Sequence, residues 1–472
     1  MNGHANGNGK LLARRPSAPM MPPMMVSAPG KVIVFGEHAV VHGKKAIAAA
    51  ISLRSYLLVT FLSKTRRSVS LRFPDVGLSH SWNIDDLPWA AFAAPGKKKY
   101  YYDLVTSLDE ELVEALQPHI QSISPKKPEQ IRKIHQASAS AFLYLFLSLG
   151  SQKSPPCIYT LRSTIPIGAG LGSSASIAVC LATALLLQIR ALSGPHEDQP
   201  SAESELQIQR INHWAFVAEC AIHGNPSGVD NTVSSGGKAV LFQRTDYAAP
   251  PRVEPLRSFP ELPLLLVDTR QSRSTSAEVA KVATLKKTHP IIADNILNSI
   301  HDVTESAHNL ITRDDFELNA ESLQHLGELI TINHGLLVSL GVSHPKLERI
   351  RALIDHTGIG WTKLTGAGGG GCAITIVKPT EDDEVPRPPV DLENTLIDEG
   401  FQTFHTTLAG DGVGVLWPAV LHNGLEEEGG TEIDQEKFLN AEGTEGVETL
   451  VGVSVNLGNV NAVREGWRFW RP

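Results

Sequence analysis

Residues 166–176 read Pro-Ile-Gly-Ala-Gly-Leu-Gly-Ser-Ser-Ala-Ser, and an apolar run at 177–187 follows them. The three glycines, at 168, 170 and 172, allow backbone N–H groups to approach an anion without interference from a Cβ atom. Ser173 and Ser174 are residue types that cap helix N-termini, so the sequence predicts a helix beginning there. A glycine-rich turn at a helix N-terminus is typical of phosphate sites, because free N–H donors and the helix dipole favour negative charge.

This loop matches neither of two common glycine motifs of nucleotide-binding proteins. No Gly-Lys-Ser/Thr follows it, which excludes a Walker A loop. The third glycine comes one residue too early for the Rossmann pattern. An ordinary loop before a buried helix is the alternative to a phosphate site, and the glycines alone do not decide between the two.

Composition and charge restrict the class of protein. The 472 residues suggest two or three domains, and 42% hydrophobic with 19% charged residues is ordinary for a globular protein with a sizeable core. A net charge of −8 argues against nucleic acid as the main partner. The longest apolar run is too short to span a bilayer, and prolines near the N-terminus interrupt any signal or transit helix. The widely spaced cysteines indicate reduced thiols, so we expect a cytoplasmic protein.

Proline, glycine and charge patterns divide the chain into five segments. We expect a disordered leader at 1–24, an N-terminal domain at 25–255 and a C-terminal domain at 256–420. An acidic, glycine-rich insertion at 421–448 is expected to be disordered, and a terminal segment follows at 449–472. Within the N-terminal domain we predict separate strands at 46–51 and 56–61, and a buried helix at 134–149.

A second glycine-rich stretch, Thr-Gly-Ala-Gly-Gly-Gly-Gly, lies at 365–371. Gly366, Gly368 and Gly371 have the spacing of a dinucleotide motif, but that motif requires a helix to follow and a strand is predicted here. The stretch still supplies backbone donors suited to covering phosphates from the other side.

Two carboxylates and two cationic side chains are candidates for chemistry. Glu219 lies in the last turns of a predicted helix, and Asp230 follows a turn that can bring it back toward that helix end. Phosphoryl transfer needs an acid that holds Mg²⁺ and an acid that accepts a proton from a hydroxyl. Asp230 is alternatively a helix cap, the more frequent role of an Asp after a turn. Lys31 could steady phosphate charge or lie at the surface, and His38 could bind substrate or be structural.

Five segments together resemble the GHMP kinase superfamily, and within it the mevalonate kinase family. They are Ser-Ala-Pro-Gly-Lys-Val-Ile-Val-Phe-Gly-Glu-His-Ala-Val-Val-His-Gly at 27–43, the glycine loop at 166–175, His-Gly-Asn-Pro-Ser-Gly-Val-Asp-Asn at 223–231, Arg-Ser-Thr at 273–275, and Lys-Leu-Thr-Gly-Ala-Gly-Gly-Gly-Gly-Cys at 363–372. The glycine loop alone indicates only the superfamily, whereas the first and third segments point to the mevalonate enzymes. The resemblance covers about residues 27–417.

The resemblance implies an α+β fold of two domains, a ribosomal-protein-S5-like N-terminal domain that binds ATP and a ferredoxin-like C-terminal domain. It implies ATP- and Mg²⁺-dependent phosphorylation of (R)-mevalonate to 5-phosphomevalonate in isoprenoid and sterol biosynthesis. It further implies a cytosolic homodimer that acts on a small molecule, with no nucleic acid or membrane partner. A GHMP kinase for phosphomevalonate, homoserine or galactose is the nearest alternative, and a non-catalytic sensor with this fold is another.

The resemblance also implies roles for individual positions. Asp230 would be the base that deprotonates the primary hydroxyl of mevalonate, with Lys31 as its cationic partner, while Ser174 and Glu219 would hold Mg²⁺. Asp75 stands where the family often has Asn, and its negative charge is unfavourable beside a phosphate-rich ligand. The residues expected to bind ATP are Lys31, Ser163, Gly168, Ala169, Gly170, Leu171, Gly172, Ser173 and Ser174. The residues expected on the substrate side are Glu37, His38, Arg273 and Thr275.

Overall fold

The computed structural model describes residues 21–246, 251–313, 316–378, 388–421, 430–454 and 463–471. Most of the predicted leader at 1–24 therefore lies outside the described residues. The strands are β1 (Met24–Phe35), β2 (Lys45–Phe61), β3 (Ser68–Phe73), β4 (Leu78–Asn83), β5 (Cys157–Ser163), β6 (Ala239–Gln243), β7 (Arg252–Leu256), β8 (Leu262–Asp268), β9 (Gly360–Leu364), β10 (Cys372–Val377), β11 (Gln402–Leu408), β12 (Gly414–Leu416), β13 (Val420–Leu421), β14 (Thr431–Glu432), β15 (Val453–Ser454), β16 (Val463–Arg464) and β17 (Arg468–Phe469).

Helices fill most of the intervals between these strands. Within the described part of the chain, no helix combines the length and the apolar character that a membrane span requires. The helices are α1 (Trp89–Phe92), α2 (Glu110–Ile120), α3 (Glu129–Leu149), α4 (Ser173–Gln188), α5 (Ser201–His223), α6 (Val229–Gly236), α7 (Thr275–Thr288), α8 (Pro290–Ile311), α9 (Ala320–Ser339), α10 (Pro345–Thr357), α11 (Val390–Asp398), α12 (Gln435–Leu439) and α13 (Gly443–Leu450).

A sheet of 13 strands runs through both halves of the chain, with the main order β17-β12-β1-β2-β11-β8-β10-β9. The central strand, β2, is one strand of 17 residues, where the sequence predicted two. Residues 52–55, between the two predicted strands, remain in the strand because Arg54 is buried there with hydrogen-bond partners. Its guanidinium donates to the Ser27 hydroxyl at 2.6 Å and to the Asp411 carbonyl at 2.9 Å. β2 is long enough to pair with β6 through its first part and with β5 through its second.

Helices cover the sheet over several apolar cores, and two of these cores position the glycine-rich loops. Helices α3, α4 and α5 pack with β1, β2, β3 and β5 in the core of the N-terminal half. Helices α8 and α9 pack with β8, β10 and the ends of β1 and β2 in the second core. The helix predicted at 134–149 is present and begins five residues earlier, at Glu129. These cores leave the loops between β5 and α4, and between β9 and β10, facing one another.

The chain beyond residue 410 differs from two expectations. β12 pairs with β1, so the last residues of the predicted domain at 256–420 lie in the sheet of the N-terminal half. The segment predicted to be disordered, 421–448, contains β14, α12 and most of α13, although 422–429 lie outside the described residues. Its composition is acidic, but its few apolar side chains share one cluster, in which Phe438 is fully buried with Met25 and Tyr56.

The burial of Phe438 predicts that this terminal segment contributes to stability. We expect Phe438→Ala to lower the free energy of unfolding by about 3–5 kcal/mol, because it leaves a cavity in the cluster. Lys437→Ala, at an exposed neighbouring position, should change that free energy by less than about 0.5 kcal/mol. Urea unfolding followed by circular dichroism measures both values. Equal midpoints for wild type and Phe438→Ala would mean that the segment adds nothing to the core.

Candidate active site

A cavity of about 750 Å³, here called the central cavity, lies between the two glycine-rich loops. Gly366 and Ala367 of the second loop close one side of it. Apolar side chains from β3, α3 and α4, among them Leu71, Ile134 and Ile177, line the other end. The cavity is thus polar at the loops and mainly apolar beyond them, where Lys133 and Ser138 of α3 are polar exceptions. The predicted site residues that line it are Lys31, Gly168, Gly170, Leu171, Gly172, Ser173, Ser174, Asp230, Arg273 and Thr275.

The first glycine loop has the backbone conformation that its sequence suggested. Gly168, Gly170 and Gly172 have φ angles of 79°, 77° and 73°, which favour glycine. The cap of α4 is Gly172, whereas the sequence predicted Ser173 or Ser174 in that role. The left-handed turn at Gly172 makes the two serines the first helical residues, so their hydroxyl groups are not used for capping. Both serines line the central cavity instead.

Lys31 and Asp230 form an ion pair at the wall of the central cavity. Lys31 Nζ lies 3.2 Å from Asp230 Oδ1, and 33% of the Asp230 side chain is exposed. Asp230 belongs to the first turn of α6, whose cap is Gly228, so the alternative that Asp230 itself caps the helix is wrong. Lys31 is buried, which excludes its alternative as a surface lysine. A carboxylate held by a cation and open to a cavity is placed to accept a proton.

Glu219, on α5, has the surroundings of a cation ligand. It is buried, and its Oε1 atom has no hydrogen-bond partner. Burial, and secondly the charge of Asp230, raise the pKa of Glu219 to about 7, while the Ser174 hydroxyl and Lys31 oppose that shift. An unpartnered buried carboxylate oxygen beside a second carboxylate and a hydroxyl fits a small divalent cation, which prefers oxygen ligands.

Few protein ligands are available for such a cation. Among the residues that the structure describes, no group of three or more His, Cys, Asp or Glu side chains is arranged to hold a metal ion. Mg²⁺ bound with a nucleotide commonly takes only one or two carboxylates and completes its shell with phosphate and water. Glu219 and Ser174 therefore fit Mg²⁺ that arrives with a phosphate ligand better than a resident structural metal.

Arg273 bridges the two glycine loops. Its Nη2 atom donates to the Ala169 carbonyl at 3.0 Å, and its Nη1 atom donates to the Thr365 carbonyl at 3.4 Å. A Cβ atom at Gly170 would lie 1.9 Å from Arg273 Nη2, so glycine is required there for close approach as well as for its φ angle. Thr275, the first residue of α7, lies beside Arg273 at the edge of the cavity.

Glu37, expected on the substrate side, is not among the residues that line the central cavity. It is buried in an ion pair with Lys363, and the Asn333 amide donates to its second carboxylate oxygen at 2.9 Å. Both carboxylate oxygens are therefore used within the protein, away from the residues that line the central cavity. Through these contacts Glu37, which follows β1, connects that part of the chain to β9 and α9. Lys363 was missed from the sequence, since a lysine at the end of a strand carries no sign of burial.

His38 is likewise placed behind the cavity wall. It is buried, and its Nε2 atom lies 2.9 Å from the carbonyl oxygen of Ala367, to which it donates. Burial lowers the pKa of His38, which favours the neutral ring. His38 therefore supports the second glycine loop and is not among the residues that line the cavity.

Ser163 also uses its polar groups within the protein. Its hydroxyl lies 3.2 Å from the Ser55 hydroxyl, and its amide donates to Asp75 Oδ2 at 2.8 Å. Asp75 is in turn paired with Arg162, whose Nε atom lies 2.9 Å from Asp75 Oδ1. Arg162 was missed from the sequence, although a charged residue within the otherwise apolar strand β5 was an available signal.

His223 was also missed from the sequence as a site residue. Its Nε2 atom lies 3.0 Å from the Ser174 hydroxyl.

Comparisons with known proteins agree with this geometry. Residues 137–238 match the family model of the GHMP kinases N terminal domain, and residues 317–387 match that of the GHMP kinases C terminal. A mevalonate kinase of Gibberella zeae is 67% identical over 464 residues, which cover 98% of this chain and 90% of that protein. A mevalonate kinase of Aspergillus fumigatus is 66% identical over 461 residues, covering 98% and 84%.

A solved structure supports the same fold. The crystal structure of the Methanococcus jannaschii mevalonate kinase matches with a TM-score of 0.57 at 23% identity, covering 84% of this chain and all, 100%, of that one. The predicted α+β fold of the GHMP kinases is thereby confirmed. Lys31, Ser174 and Asp230 line one cavity, and Glu219 is buried beside them, which disfavours the non-catalytic alternative.

The contact between Gly170 and Arg273 predicts unequal effects of two glycine substitutions. Gly168→Ala should lower the free energy of unfolding by about 1–2 kcal/mol, because its φ angle is positive while the space around it is open. Gly170→Ala should lower it by about 1–3 kcal/mol more, because the new methyl group meets the guanidinium. Thermal unfolding of the two variants measures the difference. Equal losses would contradict a close Arg273 contact.

Proposed function

Because the chain belongs to the mevalonate kinases of the GHMP kinase superfamily, we propose that it phosphorylates (R)-mevalonate to 5-phosphomevalonate with ATP. The observation that carries the proposal is the 3.2 Å pair of Lys31 and Asp230 beside the first glycine loop. The relatives named mevalonate kinase, at 66–67% identity over nearly the whole chain, support the choice of substrate. The product belongs to isoprenoid and sterol biosynthesis.

In the proposed reaction, Asp230 accepts the proton of the primary hydroxyl of mevalonate. The hydroxyl oxygen then forms a bond to the γ-phosphorus of ATP, and the bond from that phosphorus to the β-phosphate bridging oxygen breaks, which releases ADP. Lys31 orients the Asp230 carboxylate through their ion pair and stabilises negative charge on the transferred phosphoryl group. Positioning and electrostatic stabilisation account for most of the catalysis of phosphoryl transfer.

The first glycine loop would bind the phosphates of ATP. Gly168 and the residues from Gly170 to Ser174 line the central cavity, and α4 begins there, so its dipole and N-terminal N–H groups favour the anion. The apolar end of the cavity is suited to the adenine ring. Ser163 and Ala169, also expected at the nucleotide, would act by fixing this loop, since their polar groups bond within the protein.

Glu219 and Ser174 would hold Mg²⁺ together with the nucleotide. The ion would neutralise phosphate charge during transfer. The unpartnered Oε1 atom of Glu219 supports this assignment. On the substrate side, Arg273 and Thr275 line the cavity, and Arg273 keeps guanidinium donors beyond its two carbonyl bonds for the carboxylate of mevalonate.

We also propose a cytoplasmic homodimer, as the family implies. All four cysteines are free and buried, which supports a reducing compartment.

The test of the activity is ADP release by the purified protein with Mg²⁺–ATP and, in separate reactions, mevalonate, phosphomevalonate, homoserine or galactose. Turnover with mevalonate alone supports the proposal, and preferred turnover of another substrate would contradict it.

Replacement of the proposed base should remove turnover but not nucleotide binding. We expect Asp230→Asn to lower kcat by roughly 10²–10⁴-fold, because the amide keeps the shape but cannot accept the proton. ATP should still bind with an affinity near that of wild type. Lys437→Ala, at an exposed position of α12, is the control and should leave kcat unchanged. Near-normal turnover by Asp230→Asn would exclude Asp230 as the base.

Replacement of the proposed metal ligand should act through Mg²⁺. We expect Glu219→Gln to raise the Mg²⁺ concentration for half-maximal activity roughly tenfold or more, since a bond to a charged group is worth about 1.5–3 kcal/mol. Without Mg²⁺ the variant should be at least as stable as wild type, because it removes a buried charge. Thermal unfolding with and without Mg²⁺–ATP measures both effects. A normal Mg²⁺ requirement would contradict the ligand role.

A further inference from the structure

Arg162 occupies a buried position near the end of β5. Its Nε atom donates to Asp75 Oδ1 at 2.9 Å. Its Nη1 atom donates to the carbonyl oxygens of Phe438 and Leu439, at 3.0 Å each, and its Nη2 atom to that of Ala441 at 2.6 Å. A guanidinium group has five N–H donors, so these bonds use most of its capacity.

The partners of Arg162 are all negative. Asp75 carries a full charge, and the carbonyls follow from the end of α12, where a helix exposes unpaired acceptors and the negative end of its dipole. The Asp75 side chain is only 17% exposed, and a carboxylate that is largely removed from water is unfavourable without a cationic partner. Arg162 therefore balances one formal charge and three partial charges in a place that water does not reach freely.

Asp75 lies directly behind the apolar end of the central cavity. It belongs to the short 3-10 turn Pro74–Val76, and the next residue, Val76, lines the cavity. The turn is fixed from a second side, because His135 Nε2 donates to the Val76 carbonyl at 2.7 Å. The second oxygen of Asp75 accepts the Ser163 amide, and the chain continues from Ser163 into the first glycine loop. A negative charge at Asp75 would therefore lie next to two segments that enclose the proposed nucleotide site, the turn at Val76 and the chain that leads into the first glycine loop.

We propose that Arg162 is a positioning residue for the nucleotide, which neutralises Asp75 so that an acidic side chain can stand behind the ATP pocket. This inference rests on the proposed function, in which ATP occupies the central cavity. The same guanidinium fastens α12 to β5, but that contact affects stability and not nucleotide affinity. The two effects are separable because only the first depends on the charge at position 75.

A charge-rescue experiment tests the proposal by calorimetric titration of Mg²⁺–ATP in the absence of mevalonate. We expect Arg162→Met to raise the Kd for ATP on the order of tenfold, because the unpaired carboxylate opposes the anionic ligand. The double variant Arg162→Met/Asp75→Asn should restore the Kd to within about twofold of wild type. Its urea midpoint should stay low, because the bonds to α12 are still missing. A purely structural role predicts no such rescue.

Two further variants complete the test. Arg162→Lys keeps the charge without the planar fork, so its Kd should stay near that of wild type while its stability falls. Arg72→Met is the matched control, because Arg72 also reaches α12, through Glu436 at 3.5 Å, and should leave the Kd unchanged. The proposal is overturned if Arg162→Lys binds ATP as weakly as Arg162→Met, or if Asp75→Asn fails to restore binding. A wild type that binds ATP without phosphorylating mevalonate would contradict the proposed reaction alone.

Discussion

The geometry of the central cavity depends on Lys31, which makes one contact through its backbone and another through its side chain. Its amide donates to the Leu171 carbonyl at 2.8 Å and thereby fixes the first glycine loop against β1. Its ammonium group holds Asp230, at the start of α6. A Cβ atom at Gly172 would lie 3.0 Å from the Lys31 side chain, so the loop and the lysine are packed as closely as glycine allows. One residue therefore sets the distance between the phosphate loop and the proposed base.

The second side of the cavity is attached to the first by buried polar contacts, not by apolar packing alone. The ion pair of Glu37 and Lys363 joins β1 to β9, and both side chains are inaccessible to water. Arg273 joins the two glycine loops through their carbonyl groups. Buried polar contacts of this kind require definite geometry, because a partner left unpaired is costly. They hold the loops at a fixed separation where an apolar contact would permit sliding.

Local patterns predicted much of this arrangement, and long-range contacts account for what they missed. The first glycine loop, the helix after it and the nearness of Asp230 to the end of α5 were accessible from glycine spacing, caps and turns. The roles of Glu37 and His38 were not, because each is decided by a partner more than 290 residues away. Composition was misleading for 430–450, since a few apolar residues in one cluster outweigh an acidic average. Arg54 is a further example: its polar side chain predicted a break between two strands, but a distant partner, the Asp411 carbonyl, allows it to be buried within the single strand β2.

Local positive charge, from lining side chains and from helix N-termini, explains how a chain with a net charge of −8 can accommodate a polyphosphate. The cavity lining carries three cationic side chains, Lys31, Lys133 and Arg273, and one carboxylate, Asp230. Glu219 is buried beside Asp230 and adds a second acid near the cavity. Three helices, α4, α6 and α7, begin at the cavity, as shown by the lining residues in their first turns. Each N-terminus contributes roughly half a positive charge and free N–H donors. These backbone donors bind the phosphate groups, so Lys31 is not required for phosphate binding alone and can keep its ion pair with Asp230. Asp230 is thereby held in place to accept the hydroxyl proton.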